Sequence, residues 1–350
     1  MADKVLMKGN EAIAEAAIAA GCHYFFGYPI TPQNELPEYM SRRLAQVGGT
    51  FVQAESEVAA INMVYGAACA GVRAMTSSSS PGISLKQEGI SYCVGSELPC
   101  VIVNMVRGGP GLGSIQPAQS DYFQTVKGGG HGDYKMLILA PASVQEMVDL
   151  AKVAFDLADQ YRNPVVILGD GMLGQMMEPV VIPEAVTELP AKPWATVGKG
   201  ERAPNIINSL FIEADACEAH NHDLQKKFAA MMKEIRYETL YPDAEIFLVA
   251  YGTTARIART AIERMRAKGI SVGLIRPISL FPFPDCAFEA VVGQAKFFLA
   301  VEMSAGQMIE DVRLAVKDRK PVHFYGRMGG AVPAPQELID EVEKLLKGGM

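Results

Sequence analysis

Four short segments of this chain place polar or charged side chains just past an apolar run. Gly27-Tyr28-Pro29-Ile30-Thr31-Pro32 follows Tyr24-Phe25-Phe26. Its two prolines forbid a regular helix and bias the preceding residues towards extended backbone, so the Thr31 hydroxyl is held between fixed neighbours. Thr50-Phe51-Val52-Gln53 runs into Ala54-Glu55-Ser56-Glu57, which holds two carboxylates. Val72-Arg73-Ala74-Met75 runs into Thr76-Ser77-Ser78-Ser79-Ser80-Pro81-Gly82, and the strand-like Cys100–Val106 runs into Arg107-Gly108-Gly109-Pro110-Gly111. If these four runs are parallel neighbours, one rim of a sheet carries a hydroxyl, a carboxylate, a serine loop and a guanidinium. Open α/β sheets place their ligands at such a rim.

Each group has a chemical use and a plainer structural one. Arg107 ends an uncharged strand; a guanidinium grips a carboxylate through two hydrogen bonds, or pairs with a neighbouring acid on the rim. Glu57 follows the N-cap candidate Ser56. It faces the helix dipole as an ordinary first-turn glutamate, or else either it or Glu55, two residues earlier, serves as a shielded proton-handling carboxyl. Thr31 either meets a ligand or bonds its own turn. Ser77–Ser80 has no partnering His/Asp pattern and reads as a pocket lining or a polar loop. Gly108–Gly113 carries four glycines and no lysine, which suits a loop that moves over a ligand and argues against a phosphate-binding P-loop. His131, between two glycines, reads more readily as a turn than as a ligand contact. His220-Asn221-His222 lacks a third metal ligand.

The elements that must position these groups follow from periodicity. Up to about residue 180, helices and strands alternate: Glu11–Ala20 with Asn10 as N-cap, Ser56 capping a helix to Ala70, then Val144–Ala158 before the strand Pro164–Leu168. Such alternation predicts a mostly parallel sheet with helices on both faces. Prolines at 179, 183, 190, 193 and 204 mark residues 181–242 as an extended linker with a charged helix, Leu224–Glu238. A smaller α/β unit spans 243–350, with strands at Ile246–Ala250, Ser271–Ile275, Phe297–Val301 and Val322–Tyr325 and helices Thr254–Lys268 and Gly306–Lys317.

Composition narrows the class. The chain has 350 residues, 49% of them hydrophobic, and no apolar stretch of 18 residues. The N-terminus carries Asp3, Lys4 and Lys8 and no signal-peptide core, so a cytoplasmic protein is expected. A net charge of −7 argues against nucleic-acid binding. The six cysteines include no closely spaced pair, so neither an iron–sulfur cluster nor a structural zinc site is expected, and most read as small core residues.

The same segments carry a family resemblance. Gly27–Pro32, Glu55-Ser56-Glu57-Val58-Ala59-Ala60, Arg107–Pro110, Gly130-His131-Gly132-Asp133, Leu274-Ile275-Arg276-Pro277-Ile278 and Gly326-Arg327-Met328-Gly329-Gly330 stand in order along the chain. Together they resemble the α-type subunit of the thiamine-diphosphate-dependent 2-oxoacid:ferredoxin oxidoreductases, nearest to the branched-chain (2-oxoisovalerate) and 2-oxoglutarate enzymes. The resemblance implies a thiamine-diphosphate pyrimidine-type domain over residues 1–180 and a transketolase C-terminal-like α/β domain over 243–350. It implies that Glu57 is the catalytic carboxyl on the cofactor's ring nitrogen, with Tyr28 and Pro29 also at the cofactor. It makes Thr31 and Arg107 substrate-binding.

Gly169-Asp170-Gly171 resembles the opening of the cofactor's metal motif, but no suitable asparagine follows, so Asp170 reads as a strand-ending turn and no metal is expected on this chain. The resemblance instead assigns the diphosphate, its Mg2+ and the [4Fe–4S] cluster to a partner β subunit, with γ and ferredoxin-like δ subunits, ferredoxin and coenzyme A as further partners. The implied reaction is oxidative decarboxylation of a 2-oxo acid to acyl-CoA and CO2 with reduction of ferredoxin. A ferredoxin-independent thiamine enzyme and a non-catalytic scaffold subunit are the alternatives. A nucleotide-binding protein is disfavoured, since no strand-linked Gly-x-Gly-x-x-Gly with a ribose-binding acid appears. A second cation near the pocket would suit 2-oxoglutarate; an apolar pocket would suit a branched-chain acid.

Overall fold

The computed structural model describes residues 4–348, so Asp3 and the outermost ends of the expected domains lie outside the described residues. The N-terminal half contains strands β1 (Val5–Lys8), β2 (Tyr24–Gly27), β3 (Thr50–Gln53), β4 (Ala74–Ser78), β5 (Cys100–Val106), β6 (Leu137–Leu139), β7 (Pro164–Asp170) and β8 (Met177–Val180). The remainder contains β9 (Tyr237–Leu240), β10 (Ile246–Val249), β11 (Val272–Pro277), β12 (Ser279–Phe281), β13 (Phe297–Glu302) and β14 (Val322–Gly326). The helices used below are α1 (Gly9–Ala19), α2 (Glu35–Gln46), α3 (Glu57–Cys69), α4 (Ser80–Gly95), α5 (Val144–Tyr161), α6 (Gly171–Gln175), α7 (Ala214–Met231) and α8 (Gly252–Ala267).

A seven-stranded sheet runs β12-β6-β7-β5-β4-β2-β3. Every pairing in it is parallel except β12 against β6. Its central strands β5 and β7 are buried along their whole length, which explains their near-continuous apolar sequences. Alanine-rich α1 is almost wholly buried against α5, because side chains of one carbon let the two backbones approach closely. α5 starts at Ser143, whose hydroxyl accepts from Glu146 N at 3.1 Å, and ends at Arg162 in the left-handed conformation.

A second sheet runs β14-β13-β10-β11-β9, parallel except for β9. The expected α/β class, with a smaller C-terminal α/β unit, is what the chain adopts. The two sheets are not isolated from each other. β12, from the C-terminal part, closes the edge of the first sheet, and one apolar core spans residues of both halves. Arg276 on β11 reinforces the junction: Nη1 and Nη2 donate to Glu146 on α5, each at 2.8 Å, and Nε donates to Glu238 on β9 at 2.8 Å.

The connecting segment corrects one expectation. The helix covers Ala214–Met231 and not Leu224–Glu238. Tyr237–Leu240 is drawn into the second sheet as β9 by pairing with β11, a long-range contact that overrides local helix pattern. The helix start was hidden because residues 214–223 offer no apolar stripe; its buried side chains are Leu224, Phe228 and Met231. Among the described residues, no helix is long and apolar enough to cross a membrane. All six cysteines are free thiols; Cys22, Cys93 and Cys100 are buried, whereas Cys286 is exposed and is not a core residue.

Candidate active site

The chain leaves β2 to build β3 on one side and returns to place β4 on the other, so a topological switch point lies between β2 and β4. The parallel order β3-β2-β4-β5 brings Glu57, Thr31, Ser77–Ser80 and Arg107 to a common rim, the adjacency expected from the sequence.

Arg107 follows β5 and is 8% exposed. Its Nη1 donates to the Thr31 carbonyl at 2.9 Å and its Nη2 to the Leu112 carbonyl at 3.2 Å, while its buried Nε has no partner. Its main-chain N–H donates to Ser80 Oγ at 3.1 Å. No ion pair forms at Arg107 among the described residues, so the alternative of an arginine paired with a rim acid does not describe it. The guanidinium has five N–H donors and two carbonyl partners, which leaves donors for an anion.

Arg107 lines a cavity of about 670 Å3, together with Pro81, Leu112, Asp121, Met303 and Met328. That volume is ordinary for a small-molecule site. Among the described residues, Arg107 is the one Lys or Arg on its wall and Asp121 the one Asp or Glu. Burial pushes the Asp121 carboxyl up; bonds with Asn104 and Ser80 and the charge of Arg107 work against that. The Asn104 Nδ2 bond to Asp121 Oδ2 is 3.0 Å.

Glu57 sits on the other side of the first turn of α4. It opens α3, is 6% exposed, and follows Ser56, whose hydroxyl accepts from Ala59 N at 3.2 Å. The carboxylate lies against the backbone of Gly82: a Cβ there would fall 2.6 Å from Glu57 Oε1 and 2.1 Å from Ser78 Oγ. Ser78 and Ser79 have buried hydroxyls without partners. Glu55 is exposed.

Thr31 accepts at Oγ1 from Asn34 Nδ2 at 3.4 Å and faces a hollow with Pro32, Ile115 and Met172. Tyr28 is half-buried; exposed Pro29 borders a further hollow of about 210 Å3 with Phe51 and Gln53. The glycine loop after Arg107 packs on the segment around Gly329: a Cβ on Gly108 would come within 2.7 Å of the Gly329 carbonyl carbon. This contact, with Met303 and Met328 on the cavity wall, brings the C-terminal half into the site.

Three sequence candidates lie elsewhere. His131 is exposed, with its carbonyl accepting from Ser91 Oγ at 2.7 Å, and does not line the Arg107 cavity. His220 bonds the Gly95 carbonyl at 2.7 Å and stacks on Phe211. Asp170 Oδ1 accepts from the N–H groups of Met172 and Leu173, which makes it the cap of α6. Among the described residues, no group of three His, Cys, Asp or Glu is placed to hold a metal ion. Sequence reasoning missed Asp121, Met303 and Met328, and it missed Lys86, which is fully buried on α4.

The family model for the thiamine-diphosphate-binding region of pyruvate flavodoxin/ferredoxin oxidoreductases matches residues 15–239, and that for core domain II of pyruvate:ferredoxin oxidoreductase matches 244–338. The chain belongs to the pyruvate flavodoxin/ferredoxin oxidoreductase family. Among members of that family, it is 53% identical to ketoisovalerate oxidoreductase subunit VorB of Methanothermobacter thermautotrophicus, over 97% of each chain. The structure is similar to 2-oxoglutarate:ferredoxin oxidoreductase from Magnetococcus marinus, solved with 2-oxoglutarate, coenzyme A and succinyl-CoA bound (TM-score 0.87, 27% identity). It covers 98% of this chain, which spans 65% of the matched one. A split-gene transketolase, described as an inactive beta4 tetramer, shares the fold at 14% identity and TM-score 0.61, covering 97% of this chain and 98% of its own. Within the oxidoreductase family model, the thiamine-binding match contains Thr31, Glu57 and Arg107.

Proposed function

We propose that this chain is the α-type subunit of a thiamine-diphosphate-dependent 2-oxoacid:ferredoxin oxidoreductase acting on a branched-chain 2-oxo acid such as 2-oxoisovalerate. The observation that carries this reading is the isolation of Arg107. Among the described residues it is a buried guanidinium without an ion pair, on a cavity lined by no other Lys or Arg and with apolar walls at Pro81, Leu112, Met303 and Met328. One carboxylate and one branched alkyl group suit that lining. A dicarboxylate would set its second charge against Asp121, with no second Lys or Arg among the described lining residues to meet it.

The pyrimidine side of the cofactor has a fitting cradle. The Glu57 carboxylate takes no hydrogen bond from the described residues, and the missing side chain of Gly82 lets it lie directly against the α4 backbone. The orphaned Ser78 and Ser79 hydroxyls supply further polar contacts. In this reading the diphosphate, its Mg2+ and the [4Fe–4S] cluster belong to a partner β subunit, with γ and ferredoxin-like δ subunits completing a cytoplasmic assembly; among the described residues no His, Cys, Asp or Glu cluster is placed to hold a metal ion.

When bound, thiamine diphosphate would supply the nucleophilic carbon for the 2-oxo acid, with Glu57 and the loop at Tyr28 and Pro29 holding its pyrimidine side. Arg107 orients the substrate carboxylate through its free N–H groups. Thr31 Oγ1, already accepting from Asn34, keeps its own proton to donate to the keto oxygen. Glu57 holds and returns the proton at the cofactor's ring nitrogen, while Tyr28 and Pro29 shape the rigid loop beside it. Overall, the 2-oxo acid, coenzyme A and two oxidised ferredoxins give acyl-CoA, CO2, two reduced ferredoxins and a proton.

The test is co-purification from the native host and assay with coenzyme A, ferredoxin and a panel of 2-oxo acids. Ferredoxin reduction that prefers 2-oxoisovalerate by kcat/KM is expected. Preference for 2-oxoglutarate would overturn the substrate assignment, and an iron-free chain without partners would overturn the assembly.

A further inference from the structure

We propose that Lys86 is a positioning residue for Glu57: its buried ammonium holds the main-chain carbonyl of Glu57 and sets a positive charge beside that carboxyl. The proposal rests on the reading of Glu57 as the proton-handling group.

Lys86 is 0% exposed, although lysine is almost never fully buried without a partner. It makes no ion pair within 4 Å among the described residues, and its hydrogen bond runs from Nζ to Glu57 O at 3.4 Å. Gly82 and Lys86 are four residues apart, hence on one face of α4. The first of them presses on the Glu57 carboxylate and the second reaches the Glu57 backbone. Both ends of the same residue are therefore held from one helix face. Packing alone does not call for an ammonium here, since an unbranched apolar side chain would fill the space with no charge to desolvate.

The charged and titratable neighbours are few. α3 carries Glu57 near its start and Tyr65 and Cys69 two or more turns on. α4 itself adds Glu88, which accepts from Tyr92, and buried Cys93. β4 contributes none, β5 contributes Cys100 with Arg107 beyond its end, β7 ends in Asp170, and the segment after β5 brings Asp121 to Ser80, Tyr134 to Gln87 and His131 to Ser91 and Tyr92 of α4. Of these, Glu57 is the group that acts on the ionisation of Lys86: burial pulls the lysine down to about 8, and the charge of Glu57 opposes that. Lys86 is therefore mostly cationic at neutral pH. When Glu57 gives up its proton, the ammonium offsets the charge left on the carboxylate. Loss of the lysine proton at higher pH removes that support.

The experiment follows Lys86 directly in the full chain, labelled with 13Cε-lysine. The signal missing from either K86M or K86R belongs to Lys86, so assignment survives if one variant fails to fold. Lys227, also pulled down to about 8 by burial but paired with Glu97, is the internal control. E57Q is expected to lower the Lys86 midpoint by about one pH unit, the scale of a neighbouring charge, and to leave Lys227 unmoved. In the native complex, the alkaline limb of kcat, with its midpoint near 8, is expected to move above pH 9 in K86R, because arginine keeps its charge. An unchanged Lys86 midpoint in E57Q, or an unchanged alkaline limb in K86R, would overturn the proposal. Full activity of the E57Q complex would instead overturn the underlying reading of Glu57.

Discussion

The guanidinium of Arg107 donates to the main-chain carbonyl of Thr31, not to its hydroxyl, at 2.9 Å. The loop after β2 is thus locked to the end of β5 independently of the threonine side chain, and the two sequence candidates are separable by mutation. Arg107→Ala removes the loop anchor and the proposed anion site together. Its kcat/KM for 2-oxoisovalerate is expected to fall about 10²- to 10³-fold, the loss typical of a buried charge contact. Arg107→Lys keeps a point charge but not the fork and is expected to fall between. Thr31→Val leaves the anchor in place, and steady-state kinetics of the native complex should show a loss of about tenfold, the scale of one hydrogen bond.

Gly82 is held free of a side chain by Glu57. In an exposed helix, glycine to alanine would stabilise by about 1 kcal/mol. Here the added methyl group meets Glu57 Oε1 and Ser78 Oγ at distances that real Cβ atoms do not adopt, so the carboxylate must move. Gly82→Ala is expected to lower kcat at least about 10²-fold, since an ångström of misplacement at a reacting group has that effect, with little change in Tm. Calorimetric melting beside a ferredoxin-reduction assay checks both halves; an active variant would detach Gly82 from the proposed cofactor cradle.

Much of this site was legible in the sequence, and the reasons for the gaps are physical. Arg107 and Glu57 announced themselves as charges placed just after apolar runs, and parallel pairing does the rest. Lys86 was missed because a lysine reads as surface. Its signal was positional: Gly82, Ile83, Lys86, Gln87, Gly89 and Ile90 form one buried stripe on α4, and a cation on that stripe is out of place. Asp121, Met303 and Met328 were invisible for another reason. They come from a loop and from the far half of the chain, and the contacts that bring them in, such as Gln119 Nε2 to the Tyr251 carbonyl at 2.9 Å and Gln119 N to the Met303 carbonyl at 2.8 Å, are long-range. The same holds for β12, three residues whose place in the first sheet no local pattern foretells.

Asp121 carries a prediction about pH and selectivity. Burial lifts its carboxyl above the ordinary 3.8 of an aspartate. The native state therefore holds this proton more tightly than the unfolded chain, and ionisation erodes stability as pH rises from 3.8 through the native value. Asp121→Asn is expected to raise the denaturation midpoint at pH 7 and to leave it unchanged near pH 3, where both states are protonated. The variant also removes the one carboxylate on the cavity wall. Its kcat/KM for 2-oxoglutarate relative to 2-oxoisovalerate should rise about tenfold, because like-charge exclusion is a specificity device.

Arg276 tests how far the two sheets depend on each other. Its side chain is 3% exposed and spans Glu146 and Glu238, which are 32% and 30% exposed and so partly screened. Replacing it with methionine keeps much of the volume but leaves both carboxylates without this cation. Breaking a fully buried pair costs about 3–5 kcal/mol. The exposure of the acids brings the expected loss to roughly 2 kcal/mol, or about 3 °C in Tm at the roughly 1.4 °C per kcal/mol that one transition of a 350-residue chain implies. Arg276→Met should melt as a single transition at the lower temperature, because β12 and the shared core still bind the halves together. Two separated transitions would mean that this arginine, and not the apolar core, unites the sheets. Glu146→Gln in the Arg276→Met background should then recover part of the loss, since the unpaired carboxylate would be gone.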